Sequence, residues 1–381
     1  MVRPYPSDLR VGLVGANPTF GWGSGAHRRV IERLRGFTLH GVCTTRQESA
    51  ERAMREFGAA HAFTDAAELA RHPEIDLVSI CVKAPHHYAI ARAALNAGKH
   101  LYCEWPLALT IAQAEELAAL AATRGVKAMI GLHLRGAPAL RHAARLIAEG
   151  FVGKVFSVNL HVRVFGPIMG AMAVRAGGTT LLSIYGGHLL DAVDHYFDGV
   201  ADIAARSSIH LPPVDETGAA IDRDAADHLL FDGRLNGGGL FSVDLAGASL
   251  AGLGSTWRIE GSEGVLVLET RDPGLPAIES LIMRGGRIGE PLRPLPTPAD
   301  LECAAIPAEP DRYFAYPGSD ASREALSAIG NLYSELAEAI RGGGGVSPDF
   351  TRAVEIQRLL ASFDTPLAVE PVVRDAVGAD A

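Results

Sequence analysis

The sequence predicts an α/β protein: a doubly wound parallel sheet at the N-terminus, followed by an α+β domain with a large, open, mainly antiparallel sheet. Two observations carry this. Up to about residue 132, short apolar runs alternate with amphipathic stretches of helical period, the pattern of a parallel sheet with helices on both faces. Beyond about residue 140 the period drops to two, as in a sheet buried on one face only. The expected division is 1–132 and 133–381.

In the first domain the expected strands are Arg10–Ala16, Thr38–Thr44, Ile75–Val82, Lys99–Glu104 and Lys127–Leu132. Helical patterns lie between them at His27–Arg35, Ser49–Phe57, Ala66–Arg71, His87–Ala97 and Ile111–Arg124. The second domain opens with a helix over Pro138–Glu149. Period-two segments follow at Val155–Val164, Ala201–Ile209, His228–Leu235, Leu240–Leu245, Ser255–Gly261 and Val265–Glu269. Arg234–Gly239 supplies a hairpin turn with Asn-Gly at its centre. Arg271–Pro317 is rich in Pro and Gly and reads as irregular, and helices are expected at Arg323–Arg341 and Ala353–Ser362.

Composition narrows the function classes. With 35 Lys and Arg against 44 Asp and Glu, the net charge is −9. No basic run occurs, so no nucleic-acid partner is expected. No apolar run reaches about 18 residues, and Met1–Arg10 lacks the apolar stretch of a signal peptide. A cytoplasmic protein without membrane contact is expected. Cys43, Cys81, Cys103 and Cys303 show no CxxC spacing, so neither a disulfide framework nor a zinc site is expected. His86, His87, His133 and His188 come from separate elements without i,i+4 pairing, and no metal is expected there either.

The first strand ends at Gly15, and a helix begins near His27. A dinucleotide fingerprint would place G-x-G-x-x-G at this junction, where backbone approaches the pyrophosphate. Gly15 takes the first position and Asn17 the second, and the loop is lengthened through Phe20, Gly21 and Trp22 to Gly25. At the tip of the second strand an NAD enzyme usually carries Asp or Glu for the ribose hydroxyl. This chain has Thr44-Thr45-Arg46. A guanidinium beside two hydroxyls suits a 2′-phosphate, so NADP is expected as cofactor, with NAD as the other form.

Ala91–Pro106 (ARAALNAGKHLYCEWP) resembles the A-L-x-A-G-K-H-V-L-x-E-K-P block of the glucose–fructose oxidoreductase/inositol dehydrogenase/MocA family. Arg145–Val155, Gly187–Asp191 and Arg258–Leu268 are similar to further segments of that family. The resemblance implies a Rossmann domain, an open-sheet domain that pairs subunits into a homodimer or homotetramer, NAD(P), and a sugar-like substrate. It places Val82, Lys83, His87, Glu104, Trp105 and Pro106 at the nicotinamide and makes His188 the acid/base. Within the family, the Gly15–Trp22 loop, Glu104-Trp105 and Asp227–Phe231 resemble the branch of the yeast galactose-regulon repressor.

Two departures matter. Trp105 stands where the family has lysine, and Ile184 where it has aspartate. An indole carries no cation to polarise the reacting oxygen. Three explanations stand open. The substrate, conjugated or iminium-like as in biliverdin reductases, needs no lysine. Another group replaces it, from Lys83, His86, His133, Arg135, Tyr185 or His188. Or the chain is a catalytically silent NADP-binding sensor that acts through a protein partner. The first two describe an NADP-dependent oxidoreductase with His188, Tyr185 and His133 as catalytic candidates. Arg163 and Arg175 are candidate substrate contacts, and the loops around 163–180 and 313–319 would line the pocket.

Overall fold

The computed structural model describes residues 8–164, 172–215, 217–247, 254–270, 281–306, 314–316, 319–320 and 323–363. Its first layer is a parallel sheet of β1 (Leu9–Val14), β2 (Phe37–Cys43), β3 (His61–Phe63), β4 (Leu77–Ile80), β5 (His100–Glu104) and β6 (Ala128–Gly131). The order β3-β2-β1-β4-β5-β6 puts the topological switch between β1 and β4, where a dinucleotide crosses the strand tips. β4 and β6 are buried throughout, as strands covered on both faces must be. Helices α1 (Arg28–Arg33), α2 (Gln47–Phe57), α3 (Ala66–Arg71), α4 (His87–Asn96) and α5 (Ile111–Arg124) cover the sheet. Their ends follow local chemistry. Thr110 caps α5 by accepting from Gln113 N–H, and Gly125 stops it in the left-handed region at φ 64°.

The second layer begins with α6 (Pro138–Ala148) and α7 (Gly187–Tyr196). They pack on a sheet of β7 (Val155–Arg163), β8 (Val200–Ser208), β9 (His228–Leu235), β10 (Leu240–Ala246), β11 (Ser255–Gly261), β12 (Gly264–Thr270), β13 (Leu281–Arg287) and β14 (Arg293–Pro294). The order is β14-β13-β12-β11-β7-β10-β9-β8, antiparallel except for the β7–β10 pair. Val158, Leu160 and Val162 of β7 face the helices and are buried, while Asn159 and His161 on the other face are exposed. The expected hairpin joins β9 to β10, with Gly238 at φ 86°.

The strands that the sequence reading lacked include β3 and β13. β3 is three half-buried residues, too short to show a period. β13 falls in the stretch read as irregular, because Gly285-Gly286 interrupts its alternation of buried Leu281 and Met283.

The last two helices return to the first layer. α8 (Arg323–Gly342) packs Leu326, Ile329 and Leu336 among Leu9, Val11 and Val30, and its Tyr333 stacks on Tyr102 at 4.5 Å. α9 (Phe350–Ala361) packs Phe350, Ala353 and Ile356 among Leu117 and Ile130.

A buried charge cluster ties α7 to these elements. Asp191, fully buried, accepts from Arg135 Nε and NH2 at 2.7 and 2.6 Å and from Arg352 Nε at 2.7 Å. Arg135 comes from the turn after β6, and Arg352 from α9. Arg135, a sequence candidate for the cleft, is thus spent on holding α7, one turn beyond His188. Among the described residues, no helix is long and apolar enough to cross a membrane.

Candidate functional site

The loop after β1 is shaped for a close backbone approach. Gly15 has φ 96°, and a Cβ there would lie 2.2 Å from Cys81 O. A Cβ on Gly23 would lie 2.7 Å from Gly15 O. Both positions exclude any side chain, as a pyrophosphate cradle requires. Asn17 accepts from Thr19 N–H at 2.9 Å and Thr19 Oγ1 at 2.8 Å, which folds the lengthened loop on itself. Phe20 is exposed, and Gly21 has φ 109°. Residues Gly23–His27 form a turn of π-helix that runs into α1, a local form frequent at functional sites.

At the tip of β2, Thr44 Oγ1 bonds Ser49 Oγ at 2.6 Å and Arg46 O at 3.0 Å. Thr45 and Arg46 are exposed. The Arg46 guanidinium has no carboxylate partner among the described residues. A cation left open at the ribose corner fits a phosphate.

At the tips of β4 to β6 a row of rings and acids fills the space. Trp22 lies 5.7 Å from His133, and His133 lies 5.6 Å from His188, each pair tilted by about a third of a right angle. Glu104 Oε1, at the end of β5, accepts from His133 Nε2 at 2.9 Å. His27 Nε2 stands 2.9 Å from the same oxygen but out of hydrogen-bond alignment. Behind it, His27 Nδ1 bonds the Tyr333 hydroxyl at 2.9 Å, and that hydroxyl bonds Ser79 Oγ at 2.7 Å. Burial alone would raise the Glu104 carboxyl, but His133 and His27 outweigh it and hold the group well below the usual carboxylate range. His27 and Tyr333 are absent from the sequence reading. They lie 306 positions apart, so no spacing could have paired them.

His188 is buried, and its Nδ1 has no hydrogen-bond partner. Burial, then the neighbouring His133, push it down to about 3, so it is neutral at physiological pH. Trp22 Nε1 is a second buried donor without a partner. These two orphaned atoms and the side-chain-free glycine cradle fit a site built around a dinucleotide. Tyr185 is half-buried against the second domain's core, in the π-helical turn Leu182–Gly186 before α7.

Trp105 is buried, and its Nε1 donates to Ser183 O at 2.7 Å. A Cβ on Gly187 would fall 2.6 Å from the indole. Gly187 thus lets the start of α7 press on the Trp105 ring. His87 is buried as a strut, its Nδ1 2.7 Å from Pro106 O and its Nε2 2.8 Å from Val82 O. It holds those two segments together. Lys83 and His86 are exposed.

Other sequence candidates are placed elsewhere. Arg163 pairs with Asp244 at 2.8 Å on the sheet of the second domain, away from the row of rings. Arg175, Trp105, Pro106, Ser183 and Gln357 line a cavity of about 350 Å³ that none of the candidate histidines reaches. Residues 165–171, 311–313, 317 and 318 of the expected pocket loops lie outside the described residues.

Residues 9–132 match the model of the oxidoreductase family with an NAD-binding Rossmann fold, and residues 138–270 match the C-terminal domain of Gal80p. The chain belongs to the glucose–fructose oxidoreductase/inositol dehydrogenase/MocA family. Within it, the C-terminal match places the chain in the Gal80-like branch. Among relatives, the dehydrogenase aclE of Aspergillus oryzae is 36% identical over 149 residues, 38% of this chain and 41% of that protein. The galactose/lactose metabolism regulatory protein GAL80 of Saccharomyces cerevisiae is 26% identical over 74% of this chain and 71% of its own length. The NADP-dependent scyllo-inositol 2-dehydrogenase IolW of Bacillus subtilis is 22% identical over 94% and 93%. The fold is shared with an NAD-binding oxidoreductase from Klebsiella pneumoniae (TM-score 0.79, 22% identity, 93% of this chain and 96% of that one). It is also shared with levoglucosan dehydrogenase in complex with NADH and levoglucosan (TM-score 0.75, 20% identity, 93% and 96%).

Buried titratable groups give this family member a defined stability profile. Burial pushes His188 down to about 3 and His100 down to about 4. Unfolded histidines titrate near 6.5, so below that pH the unfolded chain binds protons that the folded chain refuses. Stability is therefore lost as pH falls from about 6.5 toward 4. Glu324 acts in the opposite sense. Burial raises it to about 7, so its contribution is complete below the unfolded carboxyl value and fades as pH rises through 7. Urea unfolding midpoints should peak between about pH 6 and 7, with a steep acid limb that His100→Gln makes shallower. A flat acid limb would contradict the assignment.

Proposed function

We propose that the chain is an NADP-dependent oxidoreductase that moves hydride to or from a carbonyl or carbinol carbon of a sugar-like small molecule. The observation that carries NADP is the unpaired Arg46 guanidinium at the tip of β2, with no acid between Thr44 and Arg46. Sugar-type substrates are supported by relatives that include an inositol dehydrogenase and by a shared fold with a levoglucosan enzyme. The nicotinamide, when bound, supplies or accepts the hydride. Gly15, Asn17, Phe20, Gly21 and Trp22 hold the pyrophosphate, and Thr44, Thr45 and Arg46 the adenosine phosphate. Val82, Lys83, His87, Glu104, Trp105 and Pro106 frame the nicotinamide.

In the same reading, the chain's own residues manage the proton. Glu104 fixes His133 through Nε2 and leaves its other nitrogen for the reacting oxygen. A carboxylate behind an imidazole steadies the proton it takes up. Neutral His188 offers its unpartnered Nδ1 to a substrate hydroxyl, and Tyr185 is a second donor. The domain boundary at 132/133, a cytoplasmic setting and pairing into a homodimer or homotetramer belong to this proposal.

A specific observation favours a second reading. Trp105 is anchored to Ser183 O where a cation is wanted, and the C-terminal match is to a regulator's domain. That reading is a catalytically silent NADP-binding sensor acting through a protein partner.

Arg46→Ala tests the cofactor choice. Loss of charge-assisted hydrogen bonds of about 1.5–3 kcal/mol should weaken NADPH roughly ten- to a hundred-fold and leave NADH nearly unchanged. Calorimetric titration of both cofactors reads this directly. Equal loss for both, or none, would sink the assignment.

A further inference from the structure

We propose that His40, His61 and Glu74 bind a divalent transition-metal ion of the Zn²⁺ class at the edge of the parallel sheet. Nothing in the cofactor reading uses these residues. Parallel pairing of β2 with β3 sets Gly41 opposite His61, which brings His61 beside His40. Glu74 reaches the pair from the turn between α3 and β4. His61 Nε2 lies 3.0 Å from Glu74 Oε2, and His40 Nε2 lies 3.5 Å from it. All three donor atoms fall within 4.8 Å of one another. His72, the residue after α3, packs its ring 4.2 Å from His61, and its Nδ1 accepts from Glu74 N–H at 3.3 Å. The turn that presents Glu74 is therefore held in place.

The spacing points to an ion between the donors. Four-coordinate zinc with bonds of about 2.0–2.2 Å sets its ligand atoms roughly 3.3–3.6 Å apart. The His40–Glu74 separation of 3.5 Å has this value, whereas His61 hydrogen-bonds Glu74 at 3.0 Å and moves apart by a few tenths of an ångström to share an ion. His40 Nε2 is buried and has no hydrogen-bond partner, a state that costs free energy unless a third body satisfies it. The other donor cluster, His27–Glu104–His133, differs. It lies inside the candidate cofactor site already described, with both nitrogens 2.9 Å from Glu104 Oε1.

Ligand chemistry selects the ion. Two imidazoles and one carboxylate suit Zn²⁺, Ni²⁺ or Cu²⁺, whereas Mg²⁺ and Ca²⁺ need more oxygen donors. His61 and Glu74 are 34% and 49% exposed, which gives the ion an entry path and room for a water as fourth ligand. An ion here clamps β3 and the α3–β4 turn to β2. Phe63 at the end of β3 accepts from Thr44 N–H at 3.1 Å. The clamp thus supports the strand tip that carries Thr44–Arg46, and the site is structural rather than catalytic.

The test uses full-length, tag-free protein stripped with chelator and titrated with Zn²⁺ against a chromophoric competitor, with Co²⁺ as spectroscopic probe. The expected result is one ion per chain, visible Co²⁺ bands of four-coordinate intensity, and a raised melting temperature. His61→Ala and Glu74→Gln should each weaken binding at least about tenfold, while His133→Ala leaves it unchanged. His61 and Glu74 are not in the core, and unchanged metal-free melting of both variants confirms that they fold. Absence of binding at micromolar Zn²⁺, full binding by His61→Ala, or loss of binding in His133→Ala would each overturn the proposal.

Discussion

Replacing Asp191 with alanine should lower the unfolding free energy by about 3–5 kcal/mol, the usual cost of removing one partner from a buried ion pair. The carboxylate is fully buried between Arg135 and Arg352. Its loss leaves Arg135, itself buried, without a counter-charge. Arg352 keeps Asp194 and Glu355, at 2.7 and 3.0 Å, so most of the penalty falls on Arg135. The effect reaches the site because α7 carries both Asp191 and His188, one turn apart. Denaturant unfolding of the variant measures the loss. A change below about 1 kcal/mol, the scale of a surface pair, would mean that the triad does not hold α7.

Glu104→Gln should cut turnover by about 10²–10⁴-fold, the range of a positioned acid/base, and leave the NADPH dissociation constant within a factor of a few. Glutamine keeps the shape of the side chain and can still meet His133 Nε2. It removes the negative charge that stands 2.9 Å from both His133 and His27. The split between kcat and cofactor binding separates this role from a structural one. A variant that turns over at the parent rate would transfer the proton task to His188 or Tyr185.

Much of the fold was legible because it rests on local pattern. β1 and β4 are short, mostly apolar runs, buried but for Arg10, and α5 carries its own cap and its own glycine stop. β3 and β13 were not legible. Three edge residues hold no period, and Gly285-Gly286 erases one. The positions of Gly15 and Thr44–Arg46 just past β1 and β2 were readable, because the apolar runs that precede them mark the strand ends. Trp105 was equally visible, but its contacts were not. The Trp105 indole donates to a backbone carbonyl 78 positions away, and backbone acceptors leave no mark in the residue types. The Ser79–Tyr333–His27 hydrogen-bond chain, the Glu104–His133 pair and the His40–His61–Glu74 group are invisible for a related reason. Each is assembled from separate strands and helices, so the lack of paired histidine spacing does not exclude such groups.

The most direct test of the oxidoreductase reading is deuteride transfer from 4-deuterated NADPH to a panel of sugar lactones, ketoses and anhydrosugars, read by mass spectrometry of the products. The account predicts at least one sugar-type product carrying a single deuterium, with matching loss of nicotinamide absorbance. Tight NADPH binding without label in any product across the panel would contradict it and assign the chain to the sensing role.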